Sequence, residues 1–81
     1  MYYMYVLRSE SGASYIGYTS DLRKRFEQHN AGQVASTRGS VWELRYYEAY
    51  QTEAAARDRE RIMKHDGRSR RWLMERLSRH E

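Results

Sequence analysis

Residues 13–29 read ASYIGYTSDLRKRFEQH, a strand that breaks at Gly17 and runs straight into a helix. Leu22 and Phe26 form an i, i+4 apolar pair that would seat this helix on a core. Arg25 and His29 are also four apart, so they project from one face, one turn above the other. They are expected at the edge of the buried stripe, facing whatever the strand presents. A guanidinium and an imidazole opposite tyrosines at the end of a sheet suit a phosphodiester.

Working outward, Tyr2 to Arg8 (YYMYVLR) is rich in strand formers and is broken by Glu10, Ser11 and Gly12. Ala13 to Tyr18 is the second strand of a hairpin with it. Thr19 or Ser20 is expected to cap the helix Asp21 to His29, with Gly32 behind its end. Gln33 to Ser40 is a polar loop, and Val41 to Tyr50 (VWELRYYEAY) is a third strand. Thr52 caps a helix from Glu53 to His65 that contains three consecutive alanines. After a break at Asp66 and Gly67, a last helix from Ser69 to Ser78 shows an apolar face of Trp72, Leu73 and Leu77. The order is ββαβαα, an α+β domain in which helices flank a three-stranded antiparallel sheet.

The chain has 81 residues and no cysteine. That length fits one domain, 1–81, with a small core burying about 60 to 65% of the unfolded surface. Neither a disulfide framework nor a thiolate metal site can hold it together. No apolar run approaches the ~20 residues of a membrane span, and no signal-peptide hydrophobic region is evident, so a cytoplasmic protein without membrane contact is expected. The net charge of +4 gathers at the end: residues 57–81 carry nine Lys/Arg against five Asp/Glu. Thirteen of the fifteen basic residues are arginine, whose planar fork suits phosphate oxygens. A polyanionic partner follows.

These residues resemble the GIY-YIG nuclease family. Tyr15, Ile16 and Gly17 repeat the second half of its signature, ten residues after Tyr5, which stands where the first half ends. The family's helix arginine and the histidine or tyrosine four residues later fall on Arg25 and His29. Its helix glutamate falls on Glu60, which opens a pattern E-x-x-φ-K with Met63 and Lys64, followed by Arg68 and Arg71. The likeness spans nearly the whole chain and is greatest to the small, single-domain UPF0213-like branch of predicted endonucleases. It implies a metal-dependent endonuclease hydrolysing phosphodiester bonds, in DNA rather than RNA, with Tyr5, Tyr15, Arg25, His29 and Glu60 as catalytic residues. A larger repair or recombination complex is a further implied partner. The chain departs from the pattern in its first triplet, Tyr3-Met4-Tyr5, in Tyr18 where some relatives carry lysine, in Ser36, Thr37 and Arg38 where others place a histidine or tyrosine, and in lacking asparagine after Asn30.

The chemistry of the side chains agrees. A single carboxylate among oxygens and waters suits one Mg2+ or Mn2+ ion, and Glu60 is the candidate ligand. Asp58, two residues away, points off that face. Arg25 would hold the scissile phosphate, and Lys64, Arg68 and Arg71 would bind the nucleic acid. The general base stays open among Tyr5, Tyr15 and His29, because a phenol is a poor base and histidine titrates near neutrality. Core burial is expected of Tyr2, Tyr3 and Tyr46 rather than of Tyr5 and Tyr15, and Gly17 admits a close backbone approach. Two other readings remain: a non-cleaving nucleic-acid-binding module on the same fold, and a protein-interaction domain for an acidic partner.

Counterion release separates the last reading from the others. If phosphates are the partner, log affinity against log salt should fall with a slope of roughly −2 to −5. The slope should be shallower in an Arg68/Arg71 double alanine variant. Affinity for DNA that ignores salt would remove nucleic acid as the partner.

Overall fold

A strand rich in tyrosine, methionine and valine can be buried on both faces, and Tyr2–Ser9 (β1) is placed where that is required. In the computed structural model, which describes residues 1–79 and side chains through residue 77, β1 is the centre of an antiparallel sheet ordered β2-β1-β3. Ser14–Thr19 is β2 and Trp42–Tyr50 is β3, both edge strands. The helices are α1, Leu22–Asn30; α2, Glu53–His65; and α3, Gly67–Arg79. The ββαβαα order read from the sequence is the one observed, and the last two residues of the expected 1–81 domain lie outside the described residues.

Side chains of β1 alternate between two cores. Met4 and Val6 join Ile16 of β2, Met63 of α2, and Leu73 and Leu77 of α3. Tyr5 and Leu7 point the other way, toward Trp42, Leu22 and Phe26. The expected Leu22/Phe26 pair does seat α1 on the sheet. Among the described residues, no helix is long and apolar enough to cross a membrane.

Strand β3 serves both layers by changing its alternation. Leu7 pairs with Leu44 but Val6 pairs with Tyr46, so Arg45 is the extra residue of a bulge. Trp42 and Leu44 consequently pack on the α1 side, whereas Tyr46 and Tyr50 pack on the α2 side. Between them Glu48 accepts hydrogen bonds from the hydroxyls of Tyr46 (2.6 Å) and Tyr50 and from Arg59 Nε (2.8 Å). Burial works to raise the Glu48 pKa, but these donors outweigh it and hold the carboxyl below its ordinary value. The ionised carboxylate thus fastens α2 to the sheet.

Several boundaries differ from expectation for local reasons. Asp21, not Thr19 or Ser20, caps α1: it is extended (φ −136°), and its carboxylate accepts from Lys24 N at 3.1 Å. Thr19 is engaged instead with Asp21 N. Helix α3 starts at Gly67, two residues early, because Asp66 accepts from the amides of Arg68 and Ser69. Trp72 lies off the Leu73/Leu77 stripe and is 45% exposed, with the Arg76 guanidinium 5.1 Å over its ring. The expected loop 33–40 contains a 3-10 turn, Ala35–Thr37.

Gly17 pairs with Tyr5 across the β1–β2 ladder. A Cβ there would lie 2.5 Å from the Tyr5 hydroxyl oxygen and 2.7 Å from its ring carbon Cζ. Tyr5 is 1% exposed and cannot swing aside. Gly17→Ala should therefore lower stability by about 1–3 kcal/mol, the usual cost of overpacking. Chemical denaturation that shows no loss would mean that the phenol has room to move.

Candidate active site

Tyr5, Tyr15, Gly17, Arg25 and Glu60 line one solvent-open hollow of about 660 Å3, bordered by Tyr18, Asp21 and Lys24. Four elements meet there, β1, β2, α1 and α2. The ladder puts Tyr5, Tyr15 and Gly17 on the same side of the sheet, α1 supplies Arg25 from its inner edge, and α2 brings Glu60 past the β2 edge. The rings of Tyr5 and Tyr15 are 6.3 Å apart.

Glu60 occupies an unusual position for a charge. Ala56 and Met63 are both 0% exposed, and Glu60 falls between them at i+4 and i−3, on the face of α2 that meets the sheet. Its side chain is 19% exposed, and Lys64 Nζ lies 3.3 Å from its Oε2. The same ammonium stands 5.8 Å over the ring of Tyr15. Asp58 is exposed and pairs with Arg61, away from the hollow.

His29 does not line the hollow. It is 0% exposed behind Tyr5, whose hydroxyl lies 2.7 Å from Nε2. Its Nδ1 is 2.8 Å from Thr37 Oγ1, and that hydroxyl donates to the Val34 carbonyl at 3.3 Å. Since the threonine proton is used on Val34, Nδ1–H donates to Thr37, and Nε2 accepts from Tyr5. Burial lowers the His29 pKa, and the positive charge of Arg25 adds to that. Burial pushes Tyr5 up to about 12, with Arg25 opposing. The expectation that Tyr5 would be less buried than Tyr2, Tyr3 and Tyr46 is reversed: those three are half-buried, and Tyr5 lies in the middle of the central strand.

The remaining basic residues are dispersed. Arg25 is half-buried and donates to Gln28 Oε1 at 3.2 Å. Lys64 stands at the rim beside Glu60, whereas Arg68 lines a separate hollow with Arg59, Ser69 and Trp72, and Arg71 is exposed on α3. Thr37, noted in the sequence only as a departure, proves to be the second partner of His29. A polar loop residue carries no periodic signal that would have marked it.

A tyrosine-lined face of the sheet, an arginine from the next helix and a glutamate from a later one thus converge on one hollow. The model of the GIY-YIG catalytic domain matches residues 1–80, and the chain belongs to that family. Within it the chain groups with the UPF0213 proteins. It is 44% identical over 64 residues to those of Streptococcus pyogenes serotype M5 (strain Manfredo) and serotype M2 (strain MGAS10270), covering 76% of this chain and 70% of each relative. The solution NMR structure of a UPF0213 protein from Bacillus halodurans has the same fold, with a TM-score of 0.58 and 30% identity over 95% of this chain and 85% of that one. The family is in general one of endonucleases, which typically use a divalent metal and act on nucleic acid.

The buried imidazole links stability to pH. His29 is held neutral in the fold, while the unfolded chain takes up its proton below about pH 6.5. Stability should be full above that value and decline as pH falls through 6.5 toward the lowered native pKa. Glu48, another stabilised group, acts only in the carboxylate range further down. Melting temperatures measured from pH 7.5 to 5 should fall in the parent and change less in His29→Gln. Parallel curves would place the titration elsewhere.

Proposed function

We propose that this protein is a divalent-metal-dependent endonuclease that hydrolyses phosphodiester bonds in DNA. The observation that carries the reading is Glu60: a carboxylate kept on the core-facing stripe of α2 costs stability that an apolar residue would not, and it faces a hollow opposite Arg25. Among the described residues no three His, Asp or Glu side chains cluster, so Glu60 would hold the ion with waters and substrate oxygens. That donor set fits Mg2+ or Mn2+, which keep several waters and need few protein ligands. The ion would supply positive charge to the phosphate and to the leaving oxygen.

The chain's own groups supply the rest. Arg25 binds the nonbridging oxygens and stabilises the charge that grows on them. Tyr5 presents its phenol oxygen to the hollow and its proton to His29. As water attacks phosphorus, its proton passes to the Tyr5 oxygen while the phenol proton moves to Nε2 of His29, and the P–O bond to the leaving oxygen breaks. The histidine is sealed from solvent, and of the two tyrosines that line the hollow Tyr5 is the one hydrogen-bonded to His29, so Tyr5 serves as the base and His29 as the acceptor behind it. Thr37 holds the imidazole in the required tautomer. Tyr15, its ring 4.8 Å from that of His29, walls the relay, and Lys64 is placed to reach a phosphate from the rim. Arg68 and Arg71 would add contacts along a longer strand.

Purified protein incubated with labelled single-stranded, duplex and branched DNA should cut only with Mg2+ or Mn2+. Glu60→Gln should remain folded and lose cleavage. Arg25→Ala should lose on the order of 100- to 1000-fold in rate, far more than Arg57→Ala, which lines a different hollow. The rate should hold level through neutral pH and fall only as the pH drops through the lowered native pKa of His29, below its ordinary value. Full activity in Glu60→Gln would remove the metal assignment, and equal, small losses in the two arginine variants would remove Arg25 from the site.

A further inference from the structure

A second groove adjoins the catalytic hollow around the N-terminus of α1. Tyr3, Leu22, Phe26, Leu44 and Tyr47 line it, with Arg23 at its edge, and it encloses about 520 Å3. Ser20 and Asp21 border both spaces. Tyr47 is 53% exposed on edge strand β3, and its ring meets that of Tyr3 edge-on at 6.0 Å. Lys24 stands on the hollow's side of the shared shoulder and Arg23 on the groove's side. The Asp21 carboxylate between them is used in capping Lys24 N.

A phosphate crossing that shoulder would therefore meet two cations, and the space beyond it is apolar and aromatic. Those are the two requirements of a single nucleic-acid strand, a charged backbone track and π-faces for its bases. A paired base cannot use such a platform without leaving its stack. We propose that the Tyr3/Tyr47 groove receives an unpaired base one step along the strand from the phosphate held at Arg25, and that the substrates are single-stranded or flapped DNA. The inference rests on the phosphodiesterase reading, and its test is chosen to fail separately from it.

The measurement is fluorescence anisotropy of a short labelled oligothymidine and of a blunt duplex of equal length, in EDTA so that no cutting intervenes. Tyr47→Ala should weaken oligothymidine binding by roughly 5- to 100-fold, the range of one lost base stack. Tyr47→Phe should bind like the parent, and duplex affinity should be unchanged. The salt slope should also stay the same, since no phosphate contact is removed. Should the alanine variant melt early, Tyr47→Leu fills the position without an aromatic face and should show the same loss.

Equal single-strand affinity in the parent and in Tyr47→Ala or Tyr47→Leu overturns the proposal, as does an equal loss on duplex. So does a parent that binds no oligonucleotide. Concentration-dependent dimerisation that Tyr47→Ala abolishes without altering DNA affinity would assign the groove to a second copy of the chain, and also overturns it. A parallel assay with Mn2+ distinguishes the readings. Tyr47-dependent binding without cleavage would reject the endonuclease alone, and cleavage with Tyr47-independent binding would reject the base site alone.

Discussion

Strand β1 has a neighbour on each edge and a helical layer on each face, so its middle residues are almost entirely withdrawn from water. Met4, Tyr5, Val6 and Leu7 are each 0–1% exposed, and each must be satisfied by what surrounds it. For the three apolar residues, packing suffices. Tyr5 also brings a hydroxyl, which a buried position tolerates only with a partner. That need ties α1 to the sheet through His29, and the 3-10 turn to α1 through Thr37. It also removes the side chain from position 17. A fold with one central strand thus places a polar relay in its middle, and the candidate site is the place where that relay reaches the surface.

Glu60 is the complementary case, a charge brought to the same place from the opposite layer. Helix α2 is held by Glu48 and Arg59 on its β3 side and by Met63 in the core. Arg59 and Glu60 are consecutive, about 100° apart around the helix, so an anchor toward β3 turns the next residue toward β2. The clamp that stabilises the helix is in this way also what aims the carboxylate. Lys64 balances the charge of Glu60.

Much of this was legible in the sequence where the signal is local. The hairpin, the Leu22/Phe26 stripe, the Thr52 cap and the tyrosine-glycine strand each rest on residues within a turn or two of one another. The Glu60 register came from a family pattern, and the fold sets that residue between Ala56 and Met63 at the hollow. Long-range pairing was not legible. Tyr5 is buried because β3, some forty residues later, closes on the far edge of β1, and His29 is sealed because a loop without periodicity folds over it. Trp72 counts with Leu73 and Leu77 in the apolar face read from the sequence, whereas its angle on α3 puts it outside. The even-numbered residues of β3, Trp42 to Tyr50, read as one face, although the strand divides them between two.

That division has a consequence for how the chain can change. Arg45 acts as a frame shift in the pattern of in and out. Deleting Arg45 itself would remove the bulge and leave Leu7–Leu44 and Val6–Tyr46 as consecutive pairs, with the other side chains of β3 on the layers they now serve. Deleting a paired residue such as Tyr47 would instead exchange inside for outside over the rest of the strand, turning Glu48 and Tyr50 toward α1 and leaving Arg59 on α2 facing no carboxylate. Single-residue insertions and deletions at the paired positions are equivalent to inverting a surface, and Arg45 marks the point in the strand where one residue can be lost without that inversion.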